Sequence, residues 1–166
     1  MWLPMKKLAV NPVPCTGCLS CSTVCAQRRA GAQDAGASAF RVELDVFGGL
    51  HGHVYCRQCE EAACAEACPG QAIYRDGDTG AWTIDGSVCV RCGACIAACP
   101  FGAVFWWSDE RGPVKCDLCG GDPSCAAACR FGVIRFLDPD DPGFTFSGMP
   151  EGEQDPALGR GPGGGR

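Results

Sequence analysis

Residues 89–100 read CVRCGACIAACP, and this stretch decides how the rest of the chain is read. It sets Cys89, Cys92, Cys95 and Cys99 at the spacing C-x2-C-x2-C-x3-C, with Pro100 after the last. Upstream the same spacing recurs as Cys15, Cys18, Cys21 and Cys25. Two further quartets widen the second gap. They are Cys56, Cys59, Cys64 and Cys68, followed by Pro69, and Cys116, Cys119, Cys125 and Cys129. Together the four quartets use all 16 cysteines of the 166-residue chain. A unit repeated this way is an internal repeat built around its cysteines, not cysteines scattered through a fold.

The first spacing is that of bacterial ferredoxins. Three closely spaced thiolates wrap three corners of a [4Fe–4S] cube, and the fourth, one helical turn on, reaches a neighbouring cube. The two wider quartets read as inserted variants of the same unit. Structural zinc also uses CxxC pairs in four-thiolate sites, but such sites pair two knuckles and do not repeat CxxCxxC followed by CxxxCP. A disulfide scaffold belongs to an oxidising compartment. The opening residues, MWLPMKKLAVNP, hold no apolar run of signal-peptide length, so a cytoplasmic location is expected.

Composition agrees. The cysteine content is that of a cross-linked or metal-bound scaffold, while Leu, Ile, Val and Phe together make up less than a fifth of the chain. Both hold if clusters fill the interior in place of hydrocarbon, and folding is then coupled to cluster insertion. With 24 Gly and 12 Pro, long regular elements are not expected, which excludes a barrel or a doubly wound sheet. The formal charge is −5 and no long basic block occurs, so nucleic acid is not an expected partner. The most apolar stretch, Cys95 to Trp107, is broken by Pro100 and Gly102 and is too short to span a bilayer.

Between the quartets the pattern is of short strands. Residues 1–14 form an apolar and basic arm suited to packing over a cluster or to meeting a partner. Residues 26–39 read as a loop or one short helix. Residues 40–46 alternate as a half-buried strand, with a turn at Gly48–Gly49 and His53-Val54-Tyr55 leading into the second quartet. Residues 72–75 and 82–85 form a hairpin turning over Asp76–Gly80, whose aspartates are turn residues and not a calcium loop. Residues 101–107, 113–115 and 131–136 are further strand stretches. Each of the last three quartets is followed by x-G-x-hydrophobic, at Gly70, Gly102 and Gly132. Trp106–Trp107 should bury one ring and expose the other, and the exposed ring could anchor an interface. His51 and His53 find no vacancy among four full quartets and fit surface or supporting roles. Arg28, Arg57, Arg91, Lys115 and Arg130 lie near the loops and read equally as charges that raise local reduction potentials or as solvated surface charges. Residues 138–166, rich in Gly and Pro, read as a flexible tail; Phe144, Phe146 and Met149 within it could dock on a partner.

On CTGCLSCSTVC, YCRQCEEAACAEACPGQAI, CVRCGACIAACPFGAV and VKCDLCGGDPSCAAACRFGVI, the chain resembles four-cluster, ferredoxin-like electron-transfer subunits of bacterial oxidoreductases. These serve dimethyl-sulfoxide-reductase-type molybdenum enzymes, hydrogenases, formate dehydrogenases and tungsten aldehyde oxidoreductases. The resemblance covers about residues 12–137. It implies an α+β fold of tandem ferredoxin-like modules, one inserted in the other, with short helices, hairpins and long loops around four [4Fe–4S] clusters. The outer module would be 1–55 plus 108–137 and the inner one 56–107. It further implies ligation across quartets: Cys56, Cys59 and Cys64 with Cys99; Cys89, Cys92 and Cys95 with Cys68; Cys15, Cys18 and Cys21 with Cys129; Cys116, Cys119 and Cys125 with Cys25. The chain departs from the family in its short Cys119-x5-Cys125 gap, in the absence of Pro after Cys25 and Cys129, and in having no anchor helix.

No nucleophile–base–orienter set can be assembled, and no Rossmann or Walker glycine pattern follows a strand. The expected role is therefore electron relay. One end would meet a large catalytic subunit, a tungsten-dependent aldehyde oxidoreductase ranking slightly ahead of a cytoplasmic hydrogenase or a molybdenum enzyme. The other would meet an NAD- or ferredoxin-linked redox subunit. A free polyferredoxin, a self-stacking oligomer and a structural zinc module are the competing readings.

Overall fold

The computed structural model describes residues 5–31 and 33–141. The tail from residue 142 on, with Phe144, Phe146 and Met149, lies outside the described residues. In chain order the regular elements are β1 (Lys7–Val10), α1 (Ser20–Ala30), β2 (Phe40–Glu43), β3 (Gly52–Tyr55), α2 (Ala63–Glu66), β4 (Ile73–Arg75), β5 (Trp82–Ile84), α3 (Ala94–Ala98), β6 (Val104–Ser108), β7 (Gly112–Lys115), α4 (Ser124–Ala128) and β8 (Ile134–Leu137). The fold is α+β. The strands form four two-stranded antiparallel sheets, β1–β8, β2–β3, β4–β5 and β6–β7.

Elements this short cannot bury much by themselves, so position comes from pairing. The N-terminal arm is a strand. All four residues of β1 are buried, and Lys7 pairs with Leu137 while Val10 pairs with Ile134. One end of the described chain is thereby fastened to the other. In β2–β3, Phe40 faces Tyr55 and the rings stack at 5.2 Å, the cross-strand contact that stabilises a two-stranded sheet. Helix α1 packs on α4, and α2 on α3. The helix of the first quartet thus meets that of the fourth, and the helix of the second meets that of the third.

Strand β2 stops at Glu43, short of the alternation seen in 40–46. The Asp45 carboxylate accepts from the backbone N–H groups of Phe47 (3.1 Å) and Gly48 (2.7 Å), and this side-chain turn competes with the sheet. Leu44, Val46 and Phe47 are left exposed. The β4–β5 hairpin forms as expected, with Asp76 accepting from Thr79 N–H at 2.8 Å and from the Thr79 hydroxyl at 2.7 Å. The β6–β7 ladder shifts register between Trp106 and Ser108. Trp106 stays largely exposed; Trp107 packs on the core and donates from its indole N–H to Asp34 at 2.6 Å. Strand β6 also runs across positions 107 and 108, where the sequence places a module boundary.

The repeat is most visible in backbone handedness. Gly17, Gln58, Arg91 and Leu118, each just before the second cysteine of its quartet, all have positive φ, from 53° to 68°. Only glycine takes this conformation without strain; the loops impose it on three other residues. After the last three quartets the chain turns again, and there the structure corrects the sequence register. The left-handed positions are Gln71, Gly102 and Gly132, each donating its backbone N–H back to the carbonyl of the final cysteine. Gln71, not Gly70, is therefore the counterpart of the other two glycines.

Two groups of buried side chains result. One includes Leu8, Val10, Phe40, Tyr55, Val114, Leu118 and Ile134. The other, smaller, is Ala62, Cys64, Ile73, Cys95 and Val104. Cysteines belong to both. Gly17 has φ +68°, and a Cβ there would stand 2.8 Å from the His51 ring and 2.9 Å from Leu44. Gly17→Ala should cost about 1–3 kcal/mol, whereas Gly86→Ala, with open space around it, should stay within about 0.5 kcal/mol; thermal unfolding of the two variants of the metal-loaded chain measures the difference.

Candidate metal centres

All sixteen cysteines are free, and only Cys18 and Cys92 are exposed. Local backbone explains how they are presented. A left-handed residue after each first cysteine bends the loop so that backbone N–H groups turn inward. Gln58 N–H points at Cys56 Sγ (3.5 Å) and Leu118 N–H at Cys116 Sγ (3.4 Å). The turns after the quartets do the same for the last cysteines. Ala72 N–H donates to Cys68 Sγ and Ala103 N–H to Cys99 Sγ, both at 3.3 Å. Cys25 lies inside the longer helix α1 and is served from farther off, by Ala39 N–H at 3.4 Å. Such N–H donors favour thiolate over thiol.

The thiols crowd one another. The Cys59 thiol is pushed up to about 12, first by burial and then by Cys56, Cys99 and Cys64, while Lys7 opposes the rise. Cys64 is also raised, by burial and by Cys56 and Cys99, with Lys115 opposing. Cys21 is pushed up to about 11 by burial, with Cys129 and Cys15 adding to it. Cys95 reaches about 11 through burial and the thiols of Cys64, Cys89 and Cys68. Burial and then Cys125, Cys56 and Cys25 raise Cys116; burial and then Cys25, Cys119 and Cys21 raise Cys125. Cys18 stands apart and is lowered by hydrogen bonds from Ser20.

These neighbourhoods cut across the sequence. Cys99 lines one small cavity together with Cys56, Cys59 and Cys64, with Trp82 and Lys115 in its wall. Cys64, Cys89 and Cys68 act electrostatically on Cys95, Cys129 and Cys15 on Cys21, Cys125, Cys56 and Cys25 on Cys116, and Cys25, Cys119 and Cys21 on Cys125. Three of these influences link thiols of different groups: Cys21 with Cys125, Cys116 with Cys56, and Cys64 with Cys95.

Buried thiols that would repel one another once ionised, with N–H groups aimed at their sulfurs, are a donor set that fits an iron–sulfur group. A bound cationic core removes the repulsion and the protons together. Among the described residues, no three His, Cys, Asp or Glu side chains gather closely enough to ring one metal ion.

Basic side chains border these sets. Arg28 donates to the Cys119 carbonyl at 3.1 Å and to the Ser124 hydroxyl at 3.3 Å. Arg57 lies over the Tyr55 ring, and Arg91 is exposed. Lys115 is buried. Two such residues escaped the sequence reading. Arg29 pairs with Asp117 at 2.8 Å beside Cys25 and Cys116, and Lys7 is buried near Cys59. Arg29 was legible only as a charge at a helix end; Lys7 only as a charge in an apolar arm. His53 is buried, which lowers its pKa. The His51 ring lies against the first-quartet loop, and its Nδ1 accepts from Asp45 N–H at 3.2 Å. No helix among the described residues is long and apolar enough to cross a membrane.

Comparison with known proteins gives the same chemistry. The 4Fe-4S dicluster domain matches residues 51–139. The polyferredoxin-like subunit of an aliphatic sulfonate oxidoreductase from Pyrococcus furiosus is 35% identical over 123 residues, 74% of this chain and 70% of that one. A ferredoxin of Methanocaldococcus jannaschii is 36% identical over 130 residues, covering 75% of each chain. The beta subunit of an NADH-dependent phenylglyoxylate dehydrogenase from Aromatoleum evansii is 31% identical over 134 residues, and the chain spans only 30% of its length. Among solved structures, the active site complex BamBC of benzoyl coenzyme A reductase contains a chain that matches with a TM-score of 0.48 and 23% identity, over 80% of this chain and 76% of that one. The chain belongs to the 4Fe-4S dicluster domain family and is a ferredoxin-like electron-transfer protein, not a catalytic one.

Proposed function

We propose that the four quartets hold four [4Fe–4S] clusters and that the chain relays single electrons between a large catalytic oxidoreductase subunit and an external redox partner. The observation that carries this is the continuity of the thiol neighbourhoods. They run from Cys15, Cys21 and Cys129, through Cys25, Cys116, Cys119 and Cys125, then Cys56, Cys59, Cys64 and Cys99, to Cys68, Cys89 and Cys95. The exposed Cys18 and Cys92 complete the two end sets in this assignment.

Bound clusters supply one-electron storage at each position. The chain's own part is to bury the thiolates, aim N–H groups at them, and keep neighbouring sets in contact. On this reading the two middle sets face each other at the junction of an outer module (1–55 plus 108–137) and an inner one (56–107). The two end sets, each with an exposed cysteine, are where electrons enter and leave. A tungsten-dependent aldehyde oxidoreductase in the cytoplasm is the partner ranked first, on the similarity of the cysteine phrases, with an NAD- or ferredoxin-linked subunit at the other end. The matched relatives named as oxidoreductase subunits support a role inside such a complex.

Anaerobically purified protein should carry about one iron per cysteine, 16 in all, and copurify with a partner whose tungsten, molybdenum or nickel content names its class. Iron well short of that in an intact folded chain, or zinc in its place, refutes the assignment. Ligation across quartets has its own test. Cys99→Ser should alter the same paramagnetic signal as Cys59→Ser, and Cys68→Ser the same signal as Cys95→Ser. Removal of iron should leave the chain largely without regular structure by far-UV circular dichroism.

The pH dependence has a definite sign. Loading must strip protons from thiols whose values lie near 11 to 12 in the metal-free fold, so acid competes with iron and the visible absorbance should bleach as pH falls.

A further inference from the structure

The second and fourth quartet loops meet along a seam of polar groups that is almost wholly buried. Gln58 is 0% exposed and Lys115 is 3% exposed. The Gln58 side-chain amide donates to the Cys116 carbonyl at 2.8 Å and accepts from Trp82 N–H at 2.8 Å. The Trp82 indole donates to the Cys59 carbonyl at 2.8 Å. Lys115 Nζ donates to the Trp82 carbonyl and, at 3.4 Å, to the Cys116 carbonyl. One short network therefore holds both loops at the point where Cys56 and Cys116 come together.

Its charge is not balanced by a carboxylate. Among the described residues Lys115 has no ion-pair partner, and a buried ammonium with only neutral carbonyls around it is costly. What it does face is thiols. Lys115 lines the cavity of Cys56, Cys59, Cys64 and Cys99 and opposes the rise of the Cys64 thiol. Lys7, 5% exposed, acts on Cys59 in the same way. Elsewhere the cations are exposed or paired. Arg28, which donates to the Cys119 carbonyl at 3.1 Å, is exposed, and Arg29, beside Cys25 and Cys116, shares its charge with Asp117 at 2.8 Å.

A positive charge in a medium of low polarisability favours the more reduced, more negative state of a group beside it. Resting on the function proposed above, we propose that Lys115, positioned by Gln58 and Trp82, makes the Cys56–Cys59–Cys64–Cys99 site the most readily reduced of the four, so that electrons collect at the junction between the two modules. The step is the transfer of one electron from a neighbouring cluster, which is oxidised by one, with no bond made and no proton moved. Gln58 is the positioning residue. Its left-handed backbone, φ 53°, would suit glycine better, and the strain is offset by the two hydrogen bonds that its side chain makes across the seam.

The test is an anaerobic redox titration of the holoprotein followed by paramagnetic resonance, with iron counted in each sample. In Lys115→Met, one of the four components should move to more negative potential and the other three stay in place. Lys115→Arg, which keeps the charge, should restore the wild-type position. Gln58→Glu keeps the shape and adds a negative charge, and it should move the same component the same way; it decides the matter if Lys115→Met loads too little iron. A fully loaded variant that titrates like wild type, or one in which all four components shift together, overturns the inference while leaving the relay intact. Wild-type protein with far too little iron overturns both.

Discussion

Thiols that would repel one another once ionised are gathered in the interior of this chain. That constraint organises the rest of the structure. Cys21, Cys25, Cys64, Cys95, Cys116 and Cys125 are all buried, and several of them rise well above the ordinary thiol value because burial and neighbouring sulfurs both disfavour ionisation. A protein of this size with so little aliphatic side chain cannot offset that cost by hydrocarbon burial alone. A cationic group among the sulfurs offsets that cost. Short strands, one-turn helices and strained loops are then tolerable, because they serve as clamps and not as the main source of cohesion.

Much of this was legible in the sequence, for a physical reason. The quartets set both the loop shape and the helix that follows, and the hairpin over Asp76–Gly80 was announced by residues that make turns with their own side chains. Local chemistry reads locally. The strand read through 40–46 forms over Phe40–Glu43 and ends there because Asp45 captures the N–H groups of Phe47 and Gly48, an equally local preference that outcompetes alternation. The repeat after the quartets was misaligned because a glycine was taken as the marker, when the backbone turns at Gln71 whether or not glycine stands there.

Contacts between distant segments were not legible. Gln58 looks like a loop residue of no importance, and nothing near it in sequence says that it reaches Cys116 and Trp82. Lys7 looks like part of a basic arm and proves to be buried beside Cys59. Arg29 ends a helix, and its partner Asp117 lies in another quartet. The grouping of Cys99 with the second quartet, and of Cys25 with the fourth, came only from resemblance. Spacing alone cannot tell which loop a fourth cysteine will meet once the chain has turned.

The two buried groups differ in how much chain each requires. The smaller is complete between Ala62 and Val104, whereas the larger needs Leu8 and Ile134 together, and β1 has no sheet partner but β8. On the ribosome the smaller group can close while synthesis is still under way; the larger must wait for the last strand to emerge. Until then the earliest thiols made, Cys15 to Cys25, are held open to solvent or to whatever assembly factor attends them. Order of translation thus becomes order of maturation, with the first quartet to be born among the last to be sealed.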